Sequence, residues 1–160
     1  MRIGHGFDVH RFADKRKLIL GGETIPYPLG LEGHSDADVL THAVIDALLG
    51  AGGLGDIGMH FPDTDPTFRD ASSISMLETI VAGLRSLGFR IANLDVTIIA
   101  QSPKIGPFRA AIVGNLSDAI GIEPDLVNVK ATTTEGLGFV GRAEGIAASA
   151  VVLLEKVEQP

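Results

Sequence analysis

Apolar and polar residues alternate from the first positions of the chain. Between Met1 and His10, Ile3, Phe7 and Val9 point one way and Asp8 and His10 the other. That period of two predicts a β-strand. Lys17 to Gly22 and Thr24 to Tyr27 read as a short hairpin closed at Gly21-Gly22. From Asp36 the period lengthens to that of a helix. Val39, Leu40, Ala43, Ala47 and Leu48 form its apolar stripe, and Gly50, Gly52 and Gly53 end it. Ser35 is placed as its N-cap, with Asp38 completing a capping-box-like pattern.

Residues 55–71 hold turn formers and carboxylates and read as a long loop, a length usually reserved for function or movement. A second helix is predicted from Ser73 to Leu87, stopped by Gly88, and a strand from Arg90 to Ala100 with Val96, Ile98 and Ile99 buried. A third helix follows Pro103, a residue suited to a first turn, and ends at Gly121. Val127 to Thr132 reads as a strand and Thr133 to Gly141 as a glycine-rich loop. Strand and helix both fit Ala143 to Val157; the glycines before it and the alternation of earlier elements favour strand. The sum is an α/β (α+β) fold, a single domain over residues 1–160 with a mixed sheet and helices packed on one face.

Composition narrows the function. The chain has no cysteine, so disulfides and thiolate metal sites are excluded and a reducing cytoplasm is expected. The opening residues lack a signal-peptide core, and the longest apolar run, Gly145 to Leu154, is far short of the roughly 20 residues that span a bilayer. A soluble protein without membrane attachment is expected. The net charge of −7 argues against a nucleic-acid partner. Any anion site must therefore rest on metals, backbone amides and a few placed cations.

All five histidines lie within the first 60 residues, and three have aspartate neighbours. Asp8 and His10 are two apart on a strand and leave the same face. His42, arriving from the following helix, would make a third ligand. Two imidazoles and one carboxylate suit Zn²⁺ with an open fourth position, and Asp46 or a nearby carbonyl is placed to orient His42. A D-x-H pair also arises by chance, and a helical histidine can equally belong to core or surface. Asp56, Asp63 and Asp65, around Phe61-Pro62, are candidates for sugar hydroxyls or metal; the plainer reading makes them turn formers. Thr132, Thr133 and Thr134 with the following glycines form a candidate anion cradle, and Glu135 could hold a harder cation. Taken alone, the segment reads more simply as a threonine-rich strand end. Lys104 and Arg142 are the best-placed cations.

Taken together these stretches resemble one family. GHGFDVHRF, EGHSDADVLTHAVIDALLGAGGLGDIG, HFPDTDP, DVTIIAQSPK, VNVKATTTE and GFVGRAEGIAA run in order from Met1 to about Leu154 and are similar to the motifs of the 2-C-methyl-D-erythritol 2,4-cyclodiphosphate synthases. The resemblance implies a reaction in which the 2-phosphate of 4-diphosphocytidyl-2-C-methyl-D-erythritol 2-phosphate attacks the β-phosphorus and CMP leaves. It implies Zn²⁺ on Asp8, His10 and His42, and Mg²⁺ or Mn²⁺ on Glu135. His34 and Thr133 match positions that align the reacting phosphates. Val9 and Ser35, beside the metal and phosphate residues, belong with them to the substrate-binding set the resemblance implies. Asp56, Ile57 and Gly58 match the erythritol pocket, and Phe61, Pro62, Asp63, Thr64 and Asp65 its mobile flap. Ala100, Gln101, Ser102, Pro103, Lys104, Ile105 and Gly106, with Ala131, Thr132 and Thr134, match the cytidine and phosphate loops. The resemblance also implies a homotrimer with active sites between subunits, and a central channel for an isoprenoid diphosphate at Phe139 and Arg142. Gly136 stands where many relatives have Lys and Val140 where many have Thr. A bacterial cytoplasm is the expected location.

Cyclisation suits an acidic chain, because phosphoryl transfer needs positioning and charge neutralisation more than covalent work. Two other readings use the same residues: a metal-dependent phosphohydrolase with water as nucleophile, and a trimeric module that only binds isoprenoid diphosphates.

Overall fold

The first strand brings two glycines and two metal-ligand candidates to one face, and the fold is organised around that face. A computed structural model describes residues 1–157. The elements are β1 (Arg2–Ala13), β2 (Leu18–Leu20), β3 (Glu23–Ile25), β4 (Gly30–Leu31), α1 (Val39–Gly52), α2 (Ile57–His60), α3 (Ser73–Ser86), β5 (Phe89–Ile99), α4 (Arg109–Ile120), β6 (Val127–Thr132), α5 (Gly138–Gly141) and β7 (Gly145–Lys156). Five strands form a mixed sheet in the order β4-β1-β7-β5-β6, with only β5 and β6 parallel neighbours; β2 and β3 pair separately. The helices cover one face, so the α/β expectation and the strand reading of the last segment hold.

The inner face is graded in size, and the grading positions α1. Gly4 pairs with Val152, Gly6 with Ala150 and Asp8 with Ala148, while β5 continues these rows with Leu94, Val96 and Ile98. Small residues under α1 let the helix sit directly on the strand. A Cβ built on Gly4 would lie 1.8 Å from the Ala47 carbonyl oxygen, and one on Gly6 would lie 1.9 Å from that of Ala43. Only glycine permits so close an approach. The predicted single stripe on α1 is too narrow: Thr41, Val44, Ile45, Leu49 and Ala51 are buried as well. The helix is enclosed by the sheet, α3 and the β2–β3 hairpin, as an all-round apolar helix must be. His42, Asp46 and Gly50, four residues apart, form its one polar or open stripe.

The helix starts later than predicted. Asp38, not Ser35, is the N-cap and accepts from Thr41 N. Its carboxylate, fully buried, also accepts from Thr41 Oγ1 (2.7 Å), Gly21 N (2.9 Å) and Gly22 N (2.7 Å). Aspartate outcompetes serine here because two oxygens satisfy both the helix start and the hairpin turn. Burial pushes this carboxyl above its ordinary range, against the four hydrogen bonds. The third helix likewise begins at Arg109, after a 3₁₀ turn at Gly106–Phe108, rather than directly after Pro103. The long loop contains α2 and a 3₁₀ turn at Pro66–Phe68, and the glycine-rich loop contains α5.

The outer face of the sheet reverses the usual pattern. Ile3, Phe7 and Val9 on β1 are 75%, 52% and 46% exposed, with Val151 beside them on β7. The strand alternates as its sequence predicts, but its apolar side is the uncovered one. Among the described residues, no helix is long and apolar enough to cross a membrane.

Candidate metal and phosphate site

The contact of β1 with α1 through Gly6 brings His42 over Asp8 and His10. His10 Nε2 lies 2.9 Å from Asp8 Oδ2 and 3.2 Å from His42 Nδ1, and His42 Nδ1 lies 3.1 Å from Asp8 Oδ2. One ligand atom from each residue falls within 4.8 Å of the others. The side chains are mostly buried, at 12–26% exposure. His10 Nδ1 is 2.5 Å from the Glu32 carbonyl oxygen. A carbonyl only accepts, so Nδ1 carries the proton and Nε2 faces the cluster. Burial works against the Asp8 carboxylate, but hydrogen bonds and charge from His10 and His42 hold its carboxyl well below the usual range. Burial also opposes the His10 imidazolium, yet Asp8 and the Glu32 carbonyl push its pKa up. Three convergent donor atoms thus face one another across the space a cation would take. The donor set of two imidazoles and a carboxylate fits Zn²⁺.

The other nitrogen of His42 does not meet Asp46, as the sequence suggested. His42 Nε2 faces Ser73 Oγ at 2.9 Å and Ser35 Oγ at 3.1 Å. Asp46 instead accepts from Ile57 N (2.8 Å) and ties down the start of α2. Ser73 had no signal in the sequence beyond its place at the start of a helix; the fold alone brings it to residue 42.

A cavity of about 470 Å³ opens over the cluster. Of the expected residues, Asp8, His10, His34, Ser35, His42, Ile57, Gly58, Phe61, Pro62 and Asp63 line it, joined by Gly33, Phe68 and Met76. Phe61 stacks edge-on against Phe68 at 5.3 Å, folding the 61–68 segment onto itself. His34 Nε2 lies 3.3 Å from the Asp65 carbonyl oxygen. Thr64 and Asp65 are outside this lining. Asp65 Oδ1 accepts from Thr67 N and Oγ1, and Asp56 accepts from Met59 N at 3.0 Å, so both carboxylates act as caps. Val9 points to the outer face, away from the cluster, and lines another hollow with Phe139 and Glu144.

A second cavity, about 380 Å³, lies at the ends of β5 and β6. Ala100, Gln101, Pro103, Lys104, Ile105, Gly106, Ala131, Thr132 and Thr133 line it; Ser102, Thr134 and Glu135 do not. Thr133 Oγ1 donates to Glu135 Oε1 (3.0 Å) and accepts from Glu135 N (3.2 Å). Glu135 and Gly136 both have left-handed backbone (φ 53° and 81°), and their amides donate to Thr133 Oγ1 (3.2 Å) and Gln101 Oε1 (3.4 Å). Glu135 is not part of the Asp8 cluster. Arg142 pairs with Glu144 (Nε–Oε1 2.6 Å) on the exposed surface. The two cavities share no residue.

The YgbB family model matches residues 1–155. A 2-C-methyl-D-erythritol 2,4-cyclodiphosphate synthase of Trichlorobacter lovleyi is 60% identical over 154 residues, covering 96% of this chain and 98% of that protein. The enzyme of the same name from Desulfatibacillum aliphaticivorans is 57% identical, covering 97% and 100%. Among solved structures, the bifunctional IspDF of Campylobacter jejuni superposes with a TM-score of 0.95 at 45% identity, over 98% of this chain and 42% of that longer one. A CDP complex of Plasmodium falciparum IspF gives 0.86 at 33% identity, over 98% and 97%. Family model, near-full-length relatives and fold agree, and the chain belongs to the YgbB family, whose members among these relatives are 2-C-methyl-D-erythritol 2,4-cyclodiphosphate synthases.

Proposed function

We infer that this chain converts 4-diphosphocytidyl-2-C-methyl-D-erythritol 2-phosphate to 2-C-methyl-D-erythritol 2,4-cyclodiphosphate and CMP, as a phosphorus–oxygen lyase of non-mevalonate isoprenoid precursor synthesis. The observation that carries the reading is the convergence of Asp8, His10 and His42 beside a cavity, in a chain of this family. In the reaction a 2-phosphate oxygen forms a bond to the β-phosphorus and the bond from that phosphorus to the CMP oxygen breaks. Zn²⁺ on Asp8, His10 and His42 and Mg²⁺ or Mn²⁺ on Glu135 would supply charge neutralisation and polarisation of the phosphates. His34 and Thr133 hold the reacting phosphates in line, which is worth roughly 7–11 kcal/mol for a well-oriented intramolecular step. Ile57 and Gly58 receive the erythritol through backbone held by Asp46 and Asp56. Phe61, Pro62 and Asp63 cover it and keep water from competing for phosphorus. Lys104, Gln101 and the Ala131–Thr133 strand end take the cytidine diphosphate. The CDP named in the Plasmodium falciparum complex supports that assignment.

A homotrimer in the bacterial cytoplasm completes the reading. Two features support the assembly. The outer sheet face presents Ile3, Phe7, Val9 and Val151 to solvent, an apolar patch that a partner must cover. The metal half and the nucleotide half lie on β1 and on β5–β6, about 10–15 Å apart across the sheet, so each completes its site with the other half of a neighbouring copy. Phe139 and Arg142 would meet an isoprenoid diphosphate in the central channel, where it must compete with Glu144 for Arg142. Phosphorus NMR of the protein with the cytidyl substrate, Zn²⁺ and Mg²⁺ tests the function. Coupled cyclic-diphosphate doublets with CMP are expected; linear phosphates would replace this reading with a phosphohydrolase, and unchanged substrate with a binding module.

A further inference from the structure

We propose that Asp36 and Ser73 form a proton-directing pair that fixes which nitrogen of His42 faces the metal position. The proposal rests on the metal reading of Asp8, His10 and His42. Ser73 Oγ, fully buried, lies against Asp36 Oδ1 and 2.9 Å from His42 Nε2, while Ser73 N donates to Asp36 Oδ2 at 3.0 Å. A serine hydroxyl has one hydrogen, and a carboxylate only accepts. That hydrogen goes to Asp36, so Ser73 Oγ is left as an acceptor toward His42. Nε2 must then carry the imidazole proton, which leaves Nδ1, 3.1 Å from Asp8 Oδ2, as the nitrogen that gives its electron pair to a cation at that position. Ser35 cannot enforce this by itself. Its oxygen accepts from Ala37 N (3.2 Å), but its own hydrogen is uncommitted and could point either way. Such outer partners set both tautomer and basicity of a metal-bound imidazole.

The pair also reaches the covering loop. Asp36 N donates to the Ala71 carbonyl (3.1 Å) and Asp70 N to that of His34 (2.9 Å). The end of the 61–71 segment is therefore pinned to the residue that directs His42.

Replacing Asp36 by Asn should reverse the relay while keeping the helix start. The amide oxygen takes the Ser73 N–H, so the NH₂ group faces Ser73 Oγ, at the expense of the long 3.3 Å contact from Asp38 N. Ser73 then turns its hydrogen to His42 Nε2, and the proton moves to the metal-facing nitrogen. The test is the zinc dissociation constant by chelator competition, with thermal melts of the metal-free proteins as the folding control. Asp36→Asn should bind zinc about 10–100-fold more weakly. Ser73→Ala, which keeps Asp36 bonded to the residue 73 amide, should lose less. The double variant should recover to the Ser73→Ala level, because no hydroxyl remains to carry the reversed proton. A helix-capping role alone predicts no such recovery. Folded Asp36→Asn that binds zinc as tightly as the parent, or a double variant weaker than either single one, would overturn the pair alone. A parent protein that binds no zinc would remove the metal reading, and the pair with it.

Discussion

Gly6→Ala is the sharpest probe of how the site is built. A Cβ on residue 6 would lie 1.9 Å from the Ala43 carbonyl oxygen and 2.7 Å from Ala47 N. Carbon against oxygen needs a little over 3 Å, so α1 must retreat by about 1 Å. The obstacle is backbone on both sides and cannot be relieved by a rotamer change. Overpacking of this kind costs about 1–3 kcal/mol. The chemical cost is larger, because Ala43 is the neighbour of His42. Ligand distances in a metal site hold to within about 0.2 Å, and a 1 Å retreat removes Nδ1 from the set. We expect zinc affinity to fall by more than about 100-fold, beyond what a lost supporting hydrogen bond costs. Gly50→Ala is the control on the same helix. Its Cβ would meet nothing within 4 Å, so it should bind zinc normally and gain about 0.4–1 kcal/mol. The assay is zinc stoichiometry and affinity beside denaturant unfolding of the metal-free proteins. Gly6→Ala with parental zinc affinity would refute the argument that the glycine contact sets the ligand spacing.

Three further outcomes are expected. Asp38→Ala strands three backbone amides and a hydroxyl in the interior; at ~1–3 kcal/mol for each unmet buried donor, urea unfolding should show a loss of at least about 3 kcal/mol. Asp63→Ala, at the cavity wall, should weaken substrate binding more than zinc binding, and unchanged steady-state kinetics would count against the covering role of the loop. The raised pKa of His10 gives a signed pH dependence. In metal-free protein its imidazolium stabilises the fold below pH 6.5 and that contribution is lost as pH rises through the folded value, so EDTA-treated samples should melt lower at pH 8 than at pH 6 once other groups are matched by a His10→Asn control. Zinc needs the proton gone, so its affinity should already decline with falling pH above 6.5, as calorimetry in buffers of different ionisation enthalpy would show.

Periodicity made most elements legible, because each local pattern agrees with the fold. The Gly21-Gly22 turn, the Gly88 and Gly121 helix ends and the final strand stand where the pattern predicts them. The metal triad was legible as Asp8-x-His10 on one strand face, but the reach of His42 was not. That reach depends on Gly4 and Gly6 lying under Ala43 and Ala47, a match between residues some 40 positions apart. Ser35 is not the cap its position suggests, because a buried aspartate serving two elements is a tertiary fact, and Asp46 does not meet His42, because one helical turn of proximity says nothing about which way each side chain faces. Ser73 and Asp36 meet only when two loops are stitched together.

The separation of the two cavities, one over β1 and one at the ends of β5 and β6, has a genetic consequence under the trimer reading. A chain crippled in its metal half still carries a sound nucleotide half, and the reverse holds for a chain crippled at Lys104. Mixed in equal amounts in one cell, two such dead alleles would assemble about a quarter of their interfaces from two intact halves. A lesion in this protein would then be recessive or rescued according to which cavity it strikes, and two inactive copies would together sustain a growth that neither supports alone.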